Sequence, residues 1–204
     1  RAVTSPAEFW DARFAEPGFA YGTEPNAFLA ERLAGLAPGR LLLPGEGEGR
    51  NAVWAAERGW RVVALDASAV ARDKALLFAA ERGVSLDYRV GDLAELASAA
   101  PGDGDAIGLV FVHLQPPARA RFHRSLVGHL RPGGALILEG FSKLQLERGS
   151  GGPRSLALLY DATELAEDFR DLELEELATR DVELVEGRYH RGLASVVRLV
   201  GRRP

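Results

Sequence analysis

Leu41-Leu42-Leu43-Pro44-Gly45-Glu46-Gly47-Glu48-Gly49-Arg50-Asn51 is the stretch whose reading decides the fold. Three apolar residues read as a buried strand, the loop after them has glycine at every second position, and Asn51 to Arg58 reads as a helix. A strand, a glycine turn and a helix make a nucleotide-binding corner. Glycine serves there because it reaches backbone angles closed to other residues and lets a ligand lie against the main chain. A dinucleotide calls for a third glycine where Arg50 stands, and its pyrophosphate would rest on the helix N-terminus. Glu46 and Glu48 put two carboxylates at that place, and like charges in a partly dry loop repel by several kcal/mol. A cationic adenosine cofactor without phosphate suits the corner better. The bland alternative is a tight strand-to-helix turn with no ligand. The loop is expected at the surface.

The glycine pattern resembles the first motif of the class I S-adenosylmethionine-dependent methyltransferases, D-x-G-x-G-x-G, with a cofactor that carries a sulfonium and an ammonium group and no phosphate. The acidic residue that opens the motif falls on Leu43, and Glu46 inside the loop is the candidate to replace it.

From Arg40 onward, strands and helices alternate, which predicts a doubly wound α/β fold built on a mostly parallel sheet. Arg61 to Asp66 is a second strand that ends in a carboxylate, placed to accept from both ribose hydroxyls or, alternatively, to cap the helix beginning near Ser68. A third strand, Leu86 to Val90, leads into Gly91-Asp92-Leu93 and a helix from Leu93 to Ala99. The fourth strand, Ala106 to His113, is nearly all apolar and so central, and its carboxyl end should line the pocket with His113, Leu114, Gln115 and Pro116. His113 is a candidate proton acceptor or a hydrogen-bonded structural residue. The helix from Ala118 to Leu130 buries Phe122, Leu126 and Leu130, and its Arg119, Arg121, Arg124 and His129 read as a solvated face rather than a nucleic-acid patch. His123 and His129 fall on different faces, so no metal site is expected. Ser142 to Arg154 has no apolar periodicity and reads as a mobile lid or substrate loop. After a helix from Ala162 to Phe169, the chain ends in an antiparallel hairpin turning at Gly187, with Tyr189 and His190 in the turn, packing it or touching substrate.

Before the corner, Phe9, Trp10 and Phe14 lie at helical spacing. A second helix follows, with Pro25 in its first turn and Leu29, Leu33 and Leu36 as its apolar stripe. Residues 1–38 are expected to form a helical lid on a single domain whose Rossmann-like core is 39–204. Tyr21, between glycine turns, is a second candidate catalytic residue. The run Phe9-Trp10-Asp11 to Tyr21-Gly22-Thr23-Glu24-Pro25-Asn26 is similar to that of small bacterial methyltransferases of the tellurite-resistance-like or thiol-methylating type. That resemblance implies a seven-stranded sheet with a C-terminal antiparallel hairpin. It also implies cofactor contacts from Gly45, Glu46, Gly47, Gly49, Asn51, Asp66, Ala67, Asp92, Leu93 and His113. Asp92 would accept from the adenine amino group and Leu93 pack on the ring, although Asp92 also reads as a plain helix cap.

With 204 residues, 47% of them hydrophobic, the chain can bury the core of one domain. A net charge of -4 argues against nucleic acid or an anionic membrane as partner. Cysteine is absent, which removes disulfides and thiolate metal sites and is compatible with a reducing cytoplasm, the expected location. No apolar run is long enough to span a membrane, and the N-terminus lacks signal-peptide regions. No methionine occurs, so residue 1 is not taken as the biological start. A monomer or homodimer is expected. The expected activity is methyl transfer to a small, soft nucleophile such as a thiol or chalcogen oxyanion, because an acceptor that is already anionic needs no general base. The competing readings are an NAD(P)-dependent oxidoreductase, which would share Asp66, and a non-catalytic S-adenosylmethionine-binding module.

Overall fold

A computed structural model describes residues 5–96 and 102–204. The elements are α1 (Pro6–Phe14), α2 (Ala27–Ala34), β1 (Arg40–Pro44), α3 (Arg50–Ala56), β2 (Arg61–Asp66), α4 (Ala69–Glu81) and β3 (Asp87–Val90). They continue as α5 (Leu93–Leu96), β4 (Gly104–Val110), α6 (Pro116–Val127), β5 (Leu130–Phe141), α7 (Ala162–Asp168), β6 (Glu173–Glu186) and β7 (His190–Arg202). The last three residues of the helix expected from Leu93 to Ala99 lie outside the described residues. The seven strands form one sheet in the order β3-β2-β1-β4-β5-β7-β6. Only β7 runs antiparallel to its neighbours, β5 and β6. This is the doubly wound sheet with a terminal hairpin that the sequence predicts. No helix among the described residues is long and apolar enough to cross a membrane.

The strand period of two explains why helices cover both faces. Leu41 and Leu43 of β1 point into one core with Phe28, Leu29 and Leu33 of α2, Ala52 and Ala55 of α3 and Ala75 of α4. Leu42 points the other way, toward the core of Phe122 and Leu126 of α6, Leu165 of α7 and Phe169. At about 25 cal/mol per Å² of apolar surface, these two layers supply the main drive to fold.

Several expectations change on this frame. Helix α2 belongs to the core and is not lid, because both Leu29 and Leu33 are buried against β1. Pro25 precedes its N-cap, Asn26, whose side chain accepts from the Leu29 amide at 3.0 Å. Strand β4 stops at Val110, because Phe111 takes a positive φ of 53° and turns the chain. Residues 142–154 are pinned rather than mobile. Gln145 is buried, donates to Ser150 Oγ at 2.8 Å and accepts from the Ser195 amide at 2.8 Å, and Ser150 Oγ donates to the Leu193 carbonyl. Arg119 is buried, not solvated. Asp168 takes its Nε at 3.1 Å and His123 Nδ1 at 2.9 Å, so α6 is bound to α7 by a shared carboxylate. His129 is buried as well. His190 lies in β7, paired with Glu186 across the hairpin, rather than in the turn.

Gly49 ends the glycine loop at φ +90°, and a Cβ built on it would lie 2.7 Å from Ala75 Cβ of α4. Gly49→Ala is therefore expected to destabilise the fold by about 2–4 kcal/mol, combining left-handed strain with overpacking. Adding Ala75→Gly should recover the steric part only. Urea unfolding midpoints check this, and an unchanged midpoint in Gly49→Ala would contradict the packing described.

Candidate functional site

Three buried carboxylates hold the glycine corner. Glu46 accepts from the Asn51 and Ala52 amides at 2.9 and 2.7 Å and from Asn51 Nδ2 at 3.2 Å. Those amides are the donors at the start of α3 on which a pyrophosphate would rest. Burial raises the Glu46 pKa to about 7 in spite of these hydrogen bonds. Glu48 accepts from the Ala20 amide at 2.7 Å and from Lys74 Nζ at 2.5 Å. Asp66 accepts from the Gly47 amide at 2.9 Å and the Ser68 amide at 3.0 Å, with Ala67 in the turn between. Burial raises its pKa too, and each of its oxygens keeps acceptor capacity for a hydroxyl. The Tyr88 hydroxyl closes the corner from below on the Gly47 carbonyl.

The loop is buried, contrary to expectation, because α1 lies across it. A Cβ on Gly47, at φ +64°, would lie 3.1 Å from Phe14 Cζ. Lys74 holds this cover down by donating to the carbonyls of Phe14 (2.8 Å), Glu16 (3.3 Å) and Gly18 (2.5 Å). Asp11 accepts from Ser68 Oγ at 2.5 Å. Asn51 Oδ1 accepts from the Asn26 amide at 2.8 Å, which ties the chain entering α2 to the corner.

Beside the corner the ends of β4, β5 and β7 meet the loop after α1 in a packed aromatic cluster. Tyr21 and Phe111 each lie 4.5 Å from the His190 ring, and Phe141 lies 5.0 Å from it. A bulky residue at positive φ costs about 1–3 kcal/mol and persists where its surroundings hold it, as Phe141 and His190 hold Phe111. The Tyr21 hydroxyl accepts from Arg13 at 3.2 Å, and burial raises its pKa. His113 offers no free nitrogen. With Nδ1 donating to the Leu158 carbonyl at 2.8 Å, Nε2 accepts from the Phe141 amide at 3.3 Å. Burial pushes its pKa down to about 4, so the ring is neutral near pH 7. His190 differs: Nδ1 lies 3.3 Å from Glu186, and Nε2 has no hydrogen-bond partner among the described residues. Its pKa is lowered by burial and raised in part by Glu186. Asp92 is exposed and accepts from the Ala94 amide at 2.9 Å, as a helix cap does, while Leu93 packs toward the α6 core. Among the described residues no cluster of His, Asp or Glu could hold a metal ion.

A cavity of about 440 Å³ opens between residues 21–27, Glu139 of β5, residues 182–187 and Arg198 of β7. Asn26 Nδ2 donates to Glu139 at 2.7 Å and to Glu186 at 3.0 Å. Arg198 donates to Glu139 at 2.5 Å, and Arg50 donates to Glu186 at 2.9 Å. Sequence reasoning missed Asn26, Arg50, Lys74, Glu139 and Glu186. Only Glu139 carried a visible signal, as a charge inside the apolar run Ala135 to Phe141.

Glu46 sets a pH dependence. Its folded pKa, about 7, lies above the ordinary 4.5, so its stabilising contribution is complete below about 4.5 and is lost as pH rises through 7. Relative to Glu46→Gln, the melting temperature of the parent should fall across that window and then level off. Parallel curves from pH 4.5 to 7.5, the second limit lying about half a unit past the titration, would refute it.

Residues 42–134 match a family described as a methyltransferase domain. A 2-heptyl-1-hydroxyquinolin-4(1H)-one methyltransferase from Mycobacteroides abscessus is 29% identical over 145 residues, which are 70% of this chain and 64% of that protein. A ubiquinone biosynthesis O-methyltransferase from Xanthomonas euvesicatoria is 30% identical over 136 residues, 66% of this chain and 56% of that protein. The chain thus spans less than two thirds of the length of these curated relatives. The N-methyltransferase NodS from Bradyrhizobium japonicum, solved with S-adenosyl-L-homocysteine, superposes with a TM-score of 0.73 at 16% identity, covering 97% of this chain and 98% of that one. The matched segment takes in the glycine corner, and with the fold it supports a class I S-adenosylmethionine-dependent methyltransferase whose cofactor is S-adenosylmethionine.

Proposed function

We propose that this protein transfers a methyl group from S-adenosylmethionine to a small acceptor with an acidic, polarisable nucleophile, a thiol or chalcogen oxyanion. The observation that carries the reading is Glu46 on the first amides of α3, which suits a phosphate-free cofactor and opposes a nicotinamide dinucleotide. The bound cofactor supplies an electrophilic methyl on a sulfonium, which leaves as a neutral thioether. Asp66 takes the ribose hydroxyls with its remaining acceptor capacity. Gly45, Gly47 and Gly49 let the cofactor approach the main chain, and Asp92 and Leu93 serve the adenine side. Helix α1 is the lid, a narrower one than residues 1–38, and shuts water out. Alignment and water exclusion of this kind supply as much as about 7–11 kcal/mol.

An acceptor that arrives ionised needs no base. For one that arrives protonated, the proton goes to His190 Nε2, oriented by Glu186, and not to His113, both of whose nitrogens are bonded to backbone. Tyr21 lines the cavity beside the hairpin instead of moving a proton. An acidic hydroxyl is the second reading for the acceptor, favoured by the relative named for ubiquinone biosynthesis O-methylation. A cavity of about 440 Å³ beside the hairpin suits a small molecule rather than protein or nucleic acid, and a cysteine-free chain suits the cytoplasm.

Calorimetry should show S-adenosylhomocysteine binding at micromolar levels and no NAD binding. Asp66→Ala should weaken it more than Asp92→Ala, since each charge-assisted hydrogen bond contributes about 1.5–3 kcal/mol and Asp66 makes two. Tight NAD binding, or a dominant Asp92, would overturn the reading. With a thiol acceptor found by labelled-cofactor screening, His190→Asn should remove the acidic limb of the rate profile. A cofactor that binds with no acceptor methylated would favour the non-catalytic module.

A further inference from the structure

Arg50 stands directly after Gly49 and is buried, with 7% of its surface exposed. Its Nη2 donates to Glu186, but Nη1, equally shut from solvent, has no partner. A buried donor left unmade is expensive, and native proteins keep such a group where something else completes it. The charge around it is also unbalanced. Arg13 donates to the Tyr21 hydroxyl and lies 3.8 Å over the Tyr189 ring, with no carboxylate partner among the described residues. Glu16 is taken by Arg188 and Tyr189, and Glu139 by Arg198 and Asn26. His190 is held neutral by burial. Arg50 is therefore paired directly with Glu186 alone among the described residues, Glu46 acting on it only at longer range, and Arg13 has no carboxylate partner there. A guanidinium fork with one arm engaged can still seat a second carboxylate on the other.

We infer that Arg50 is a carboxylate-binding residue, its Nη1 receiving the end of a ligand that lies across the glycine corner. The inference rests on the cofactor reading above. Asp66 ends β2, on one side of β1, whereas Arg50 meets Glu186 and lies near Tyr21 on the side of β4 and β5. A ligand anchored at Asp66 and passing over Gly47 brings its far end to Arg50. That carboxylate is either the amino-acid end of the cofactor or a carboxylate on the acceptor.

Calorimetry on the full chain separates the sources, using S-adenosylhomocysteine, 5′-methylthioadenosine, which lacks the amino-acid end, and benzoate added to the S-adenosylhomocysteine complex. If the cofactor is the source, Arg50→Met weakens S-adenosylhomocysteine by about tenfold or more and leaves methylthioadenosine within about twofold. If the acceptor is the source, both nucleosides bind as in the parent and benzoate binding is lost. In either case Glu186→Gln, which removes the competing carboxylate, should tighten the affected ligand, an effect that a merely structural Arg50 does not produce. Arg50→Lys, which keeps the charge but not the fork, serves if the methionine variant fails to fold, and should show the same selectivity at smaller size. Equal losses for both nucleosides, no change in any ligand, or weaker binding in Glu186→Gln would overturn the inference while leaving the cofactor reading intact. A parent protein that binds neither nucleoside would overturn both.

Discussion

The Glu46 carboxylate on the N-terminus of α3 is the interaction from which the rest of the site hangs. Its bonds to the Asn51 and Ala52 amides orient Asn51, whose Oδ1 then receives the Asn26 amide. Asn26 in turn starts α2 and reaches Glu139 and Glu186 with its side chain. One buried carboxylate is thus linked, through two asparagines, to the central strand β5 and to the terminal hairpin. Burial outweighs the hydrogen bonds in setting its pKa near 7, so the group is poorly solvated although well directed. The same carboxylate closes the corner to phosphate, which makes ligand choice a consequence of how the helix is capped.

Helix α1 is held over the corner in a different way. Helix α1 buries only Phe14, whereas α2 buries Phe28, Leu29 and Leu33. A helix with so little apolar surface committed is retained mainly by Lys74 on three carbonyls, by Asp11 on Ser68 and by Arg188 on Glu16. These contacts are partly exposed and individually worth little. Opening the cover disturbs neither core layer, while closing it lays Phe14 on Gly47. Many weak polar contacts and one aromatic one suit the proposed role of α1 as a cover that leaves when cofactor exchanges.

The sheet was legible because its signals are local: an apolar run, a glycine loop and a polar-ended strand each report on their own segment. Helix α2 misled because Leu29, Leu33 and Leu36 would make the same stripe in a lid or in a core. Strand β4 ended early because Phe111 adopts a backbone conformation that no composition announces for phenylalanine. His113 looked available since its partners, the Leu158 carbonyl and the Phe141 amide, are backbone groups from distant parts of the chain. Arg119 looked solvated since Asp168, which buries it, lies on another helix. Side chains whose role is set by a distant partner were the illegible part, and the site is made mostly of those.

Glu186 shows why the hairpin matters to a site built elsewhere. Strand β6 pairs antiparallel with β7, and β7 antiparallel with β5, so β6 runs parallel to the inner strands and its end arrives at their carboxyl edge. That edge is where an open α/β sheet binds ligands. The turn therefore delivers Glu186 and His190 to that edge as neighbours across the hairpin, and Glu186 meets Arg50 and Asn26 there. Arg50 and His190 hold the Glu186 pKa down to about 2 against its burial, so it stays charged wherever the fold persists. Glu186 is linked to the cap of α3 by two routes, through Asn26 and Asn51 to Glu46 and directly through Arg50 in the first turn of that helix. A substitution at the hairpin tip is therefore felt at the glycine corner, because the last strands and the first nucleotide-binding turn share one hydrogen-bonded network.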